Sequence, residues 1–150
     1  MLKKNEKGFT LIELVIVIVI LGILAAFAVS RYTNMAQNAR ISAVNGLAGG
    51  LRGAVAIVQG QYLINGNITA VSVTMLDGTA VAVNAGVAGG IPTGAAGGIG
   101  NAMRDTSGFT VAYGSPTTYR PTNGGSATCQ ASYAPATGIV TVTTTGVPGC

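Results

Sequence analysis

The residues best placed to do chemistry are Gly8, Phe9 and Glu13, at the start of a long apolar run. Glycine before phenylalanine offers a cleavage point. A cut after Gly8 would leave an α-amino group on Phe9, four residues and about one helical turn ahead of Glu13. That new cation can neutralise the Glu13 carboxylate of a neighbouring copy when apolar helices bundle, and the positive end of the helix dipole favours an anion at the same place. An acid satisfied only by another subunit acts as a register key. The second reactive pair is Cys129 with Cys150, the one intramolecular bridge that two cysteines allow. In an oxidising compartment it would close a loop of roughly 20 residues, worth about 3 kcal/mol in the chain-entropy model. It would also hold the last residue of the chain against fraying.

The rest of the composition excludes more than it offers. Among 150 residues there is no histidine, which removes His-based zinc sites, Ser-His relays and imidazole general bases. Downstream of Glu13 the acids are Asp77, already explained by a turn, and Asp105, beside Arg104 in a polar loop. Two carboxylates fall short of the oxygen shell that calcium takes. Gly89-Gly90 and Gly97-Gly98 are not followed by Lys-Ser/Thr, so neither reads as a phosphate loop. No catalytic residue, metal, cofactor or small-molecule substrate is expected. The formal charge of +4 is misleading: the first eight residues hold three lysines and one glutamate, and the remainder has five basic and three acidic side chains, a balance of +2. Arg31, Arg40 and Arg52 do not fall on one stripe of a helix, so a nucleic-acid face is poorly supported.

These groups need elements to position them. From Phe9 to Val29 the chain is apolar except for Glu13, and 21 residues of helix are about 31 Å long, enough to cross a bilayer. Basic residues ahead of it predict a cytoplasmic N-terminus. An ordinary signal peptide cut after Ala26-Phe27-Ala28, followed by a secreted binding domain, is one alternative, and a plain single-span anchor is another. The apolar run exceeds the usual h-region, and Glu13 is costly in an unassembled span. Beyond Val29, residues Val44, Leu47, Leu51, Val55, Val58 and Tyr62 recur at helical spacing, predicting an amphipathic continuation that ends near Gly60 or Gly66. Gly46, Gly49, Gly50 and Gly53 cost about 1 kcal/mol each in a helix. Close approach of another backbone, the head's own sheet or else a neighbouring subunit, is the expected reason. Strands are expected at 71–76 and 79–83, joined by a two-residue Asp77-Gly78 turn, and at 109–113, 128–133 and 139–144. The glycine-rich segment 85–104 reads as a connector, with a short helix after Pro92 as the alternative.

The stretch KGFTLIELVIVIVILGILAA, with its basic leader, Gly8, Phe9 and Glu13, resembles the class III signal sequence of type IV pilins and pseudopilins. The resemblance implies that a prepilin peptidase cuts after Gly8 and methylates the amine of Phe9. The helices would then leave the inner membrane, driven by a cytoplasmic assembly machinery, to become the core of an extracellular helical filament of identical subunits, with Glu13 setting register. Many pilins have proline where this chain has Ser30, so a kink would rest on Gly22 instead. The Cys129–Cys150 pair is similar to the disulfide loop of many major pilins, and LDGTAVAV, GGIP, CQASY and GC are most like pilins of the mannose-sensitive haemagglutinin type. Sparse acids and paired cysteines favour a pilus over a secretion pseudopilus, which often carries calcium and no disulfide; a minor pilin is the other relative weighed. The fold expected is α+β: leader 1–8, hydrophobic helix 9–30, and a head 31–150 in which an amphipathic helix packs on an antiparallel sheet. Such filaments serve adhesion, motility or DNA uptake.

Overall fold

The computed structural model describes residues 8–86, 89–145 and 150. Apart from Gly8, the expected leader lies outside them. A single helix, α1, covers Leu11–Asn65. By compactness the chain divides into two units, Met1–Gln37 and Asn38–Cys150, and the helix runs through the boundary. It also runs unbroken through Gly22, so the weak point expected there does not interrupt it.

Within the second unit α1 buries the face that its apolar spacing defines. Val44, Ala48, Leu51 and Val55 belong to one cluster with Ile91, Ile99, Tyr119, Cys129, Ala131, Tyr133 and Val140. One and two turns further on, Val58 and Tyr62 belong to a second cluster with Val73, Val81 and Val83. The strands form two sheets where one was expected, and Ile91 of the smaller sheet shares the first cluster with residues of the larger. Strands β1 (Ser72–Thr74), β2 (Ala80–Asn84) and β3 (Ile91–Pro92) form an antiparallel sheet in that order. Strands β4 (Phe109–Ala112), β5 (Thr117–Pro121), β6 (Gln130–Ala134) and β7 (Ile139–Thr143) form the other. Alternation sets the buried face of each: Val81 and Val83 in β2, Thr117, Tyr119 and Pro121 in β5, Ala131 and Tyr133 in β6.

The β1–β2 connection differs from the expected two-residue turn. Gly78 donates its amide to the Met75 carbonyl and Met75 its amide to the Thr79 carbonyl, which leaves Leu76, Asp77 and Gly78 as a three-residue loop. Only Gly78 takes positive φ, at 83°, the left-handed position of a type I turn followed by a bulge. Asp77 instead accepts the Thr79 amide with Oδ1 at 3.0 Å.

Two strands escape the sequence pattern. Strand β3 hides in the glycine-rich segment and pairs through Val83↔Pro92 and Asn84↔Ile91. Strand β5 lies between prolines and pairs with both β4 and β6. The rest of the glycine-rich segment includes a short π-helical turn, Ala96–Gly100, that buries Gly98 and Ile99. Close approach explains Gly90: a Cβ there would lie 2.7 Å from the Cβ and Cγ of Tyr62, and its φ is 79°.

Candidate assembly site

The residues singled out at the N-terminus form a local structure. Thr10 precedes the first helical residue, and its Oγ1 accepts the Glu13 amide at 3.3 Å. Glu13 Oε2 in return accepts the Thr10 amide at 2.8 Å and the Thr10 hydroxyl at 2.7 Å. This reciprocal pair is a capping box, which satisfies two of the amides that a helix start leaves without partners. Oε2 takes both Thr10 bonds, and Glu13 Oε1 accepts no hydrogen bond from the described residues. Thr10 is therefore a site residue that the charge-centred reading passed over, although Thr-x-x-Glu before an apolar run is a sequence signal for it. Phe9 stands one residue outside the cap and is 91% exposed.

From Leu11 to Val29 the helix has a mean hydropathy of 3.1, and none of these residues is buried among the described residues. Length and composition suit a bilayer core of about 30 Å. Met35–Asn65 is also long and apolar enough to span, at hydropathy 1.4, but it is part-buried and supplies the helical core of the second unit.

Of the two partners expected for the helical glycines, the head's own sheet and a neighbouring subunit, the first is not found. A Cβ added at Gly46, Gly49 or Gly53 would meet nothing within 4 Å, and at Gly50 it would touch only the Met103 methyl, at 3.6 Å. The apolar face at Val44, Ala48, Leu51 and Val55 already meets the sheets, and these glycines point elsewhere.

The second unit carries the other residues named from sequence. Cys129 and Cys150 are disulfide-bonded, with Cα atoms 4.8 Å apart, and both are buried. The carbonyl of Cys150 accepts a hydrogen bond from Arg40 Nε on α1, and the carbonyl of Val140 accepts one from Arg52 Nη2 at 3.0 Å. These arginines, discounted as a nucleic-acid stripe, tie the helix to the disulfide and to β7. Hydrogen bonds from Thr79 hold the Asp77 carboxyl below the usual range, with the Arg104 guanidinium at 3.8 Å adding to the effect. Bonds from Ser107 do the same for Asp105. Both carboxylates are thus accounted for by loop structure, as the sequence suggests. No group of three or more His, Cys, Asp or Glu side chains that could hold a metal occurs among the described residues.

Comparison with known proteins adds to this geometry. Residues 3–29 match the prokaryotic N-terminal methylation motif. The chain is 54% identical to the fimbrial protein EcpC of Eikenella corrodens over 55 residues, 37% of this chain and 36% of that protein. It is 46% identical to the type IV major fimbrial protein FimA of Dichelobacter nodosus over 54 residues, 36% and 35% of the two chains. With the type IV narrow pilus major component PilA5 of Thermus thermophilus it shares 51% identity over 57 residues, 38% of this chain and 49% of that one. The chain thus spans between about a third and half of the length of these relatives. No solved structure matches it. The motif and the relatives together support a type IV pilin, the motif through residues 3–29 and each relative through little more than a third of the chain.

Proposed function

We propose that the chain is a structural subunit of a type IV pilus, without enzymatic activity, that self-assembles into a helical filament on the cell surface. The observation that carries this reading is the uncovered apolar helix Leu11–Val29 with one carboxylate in its first turn, inside the segment that matches the methylation motif. So much apolar surface is soluble only in lipid or against other helices. The precursor therefore rests in the inner membrane as residues 1–8, 9–30 and 31–150: leader, span and head. A prepilin peptidase cleaves between Gly8 and Phe9 and methylates the Phe9 amine, and the assembly machinery then moves the helix from lipid into the filament core.

The capping box refines the role of Glu13 in this scheme. Before assembly the carboxylate is partnered by Thr10 of its own chain, which lowers the cost of holding it near the membrane. Its open Oε1 then accepts the Phe9 ammonium of a neighbour, a charge-assisted bond available in one register. The open faces of Gly46, Gly49 and Gly53 support close approach of a neighbouring subunit, since the head makes no use of them. The Cys129–Cys150 bridge and the small number of acids favour a pilus subunit over a secretion pseudopilin.

Glu13→Ala tests the scheme. The variant inserts in the membrane and is cleaved normally, but its filament yield on the cell surface, scored by electron microscopy and by sheared protein, falls at least tenfold. A normal yield removes the register role.

A further inference from the structure

Immediately beyond α1 the sequence Asn67-Ile68-Thr69 is the one Asn-x-Ser/Thr triplet in the chain. We propose that Asn67 is an N-glycosylation acceptor, carrying a glycan transferred from a lipid-diphosphate-linked donor. Three observations converge on it. The triplet lies in an exposed turn, closed by the Ala70 amide donating to the Asn67 carbonyl at 3.1 Å, where a transferase can reach it. The Asn67 side chain is also held for reaction: Oδ1 accepts the Thr69 amide at 3.1 Å and the Thr69 hydroxyl at 2.8 Å, while Nδ2 makes no hydrogen bond with the described residues. Two donors on the amide oxygen draw charge from the nitrogen and ease the loss of an Nδ2 proton.

The third observation is the surface around the turn. Leu63, Ile64, Ile68 and Val71 are 54–79% exposed, four large aliphatic side chains within four residues of Asn67. A sugar chain rooted at Asn67, in the middle of this stretch of sequence, would shield exposed apolar side chains of the kind that otherwise promote association. The turn itself is anchored, because the Ile68 carbonyl accepts the Tyr62 hydroxyl at 2.6 Å and the Gly86 amide at 2.8 Å. The glycan would therefore have a fixed point of attachment.

In the transfer, Nδ2 forms a bond to the anomeric carbon of the sugar and gives up one proton. The anomeric carbon–oxygen bond to the lipid diphosphate breaks, and the diphosphate leaves with the electron pair. The proposal rests on the head's being outside the cytoplasm, as read above, and on nothing about filament assembly.

Intact and peptide mass spectrometry of the protein from the cell envelope of its own host tests it. The expected mass exceeds that of the polypeptide by whole sugar residues, mapped to Asn67. Asn67→Gln and Thr69→Ala each remove the increment, and Thr69→Ser, which keeps the hydroxyl, retains it. The mass deficit of the closed disulfide, read in the same spectrum, reports that the head has left the cytoplasm. A bare Asn67 on the oxidised chain overturns the proposal and leaves the pilus reading standing, and so does a sugar increment that survives in both Asn67→Gln and Thr69→Ala.

Discussion

At the scale of single residues, the chain places polar groups economically. Glu13 could be recognised in the sequence as an anomaly, one acid in an apolar run, and with the cleavage point after Gly8 it suggested an intermolecular partner. Its intramolecular partner, Thr10, needed attention to the helix start, where Thr-x-x-Glu satisfies the first amides. The tyrosines show a similar contrast. Tyr133 donates its buried hydroxyl to the Pro92 carbonyl at 2.6 Å, whereas the buried Tyr119 hydroxyl has no hydrogen-bond partner among the described residues. Removing a bonded hydroxyl costs more than removing an orphan one. Tyr133→Phe is expected to destabilise the head by about 1 kcal/mol, while Tyr119→Phe leaves stability unchanged or raises it by about the same amount. Denaturant unfolding of the two variants, followed by circular dichroism, checks the difference in sign.

At the scale of elements, what could be read in the sequence was whatever repeats with a period. The α1 face at Val44, Leu51, Val55, Val58 and Tyr62 is buried as its spacing requires, and β2, β6 and β7 lie where alternation places them. Strands β3 and β5 were missed for a physical reason. Each is set by its neighbours in the sheet, not by an apolar rhythm of its own, and proline or glycine masks the local signal. The split into two sheets was hidden too, because it depends on which strands pair, and β3 and β5 were the strands without a local signal. Glycine is the clearest case of one residue type with two roles. Gly90→Ala must push a Cβ into Tyr62 and keep a positive φ, and should cost about 2 kcal/mol or more. Gly49→Ala puts a Cβ within 4 Å of no neighbouring group among the described residues and should stabilise the helix by about 1 kcal/mol. Thermal melts of the two variants would separate these roles, and Gly49→Ala should at the same time lower filament yield if a neighbour packs there.

At the scale of the whole molecule, the scarcity of charge follows from the work proposed for it. A chain without histidine has no side chain that ordinarily titrates between pH 5 and 7, and the two head carboxylates are held below their usual range, so head stability should be flat across that interval. At high pH the sign is set by Tyr119 and Tyr133, whose hydroxyls burial pushes above the ordinary value near 10. An acid with a raised folded-state pKa contributes stability that is complete below its unfolded value and is lost as pH rises beyond it. Thermal midpoints should therefore hold steady from pH 5 to 7 and fall above about pH 10, and Tyr133→Phe should shallow that fall.

The pilus reading depends on where the mature chain begins. Intact-mass spectrometry of protein sheared from the cell surface reads this directly. The account predicts a chain that starts at Phe9 with one added methyl group and retains the whole apolar helix from Leu11. A chain that starts at Val29, after loss of the apolar run, would contradict it.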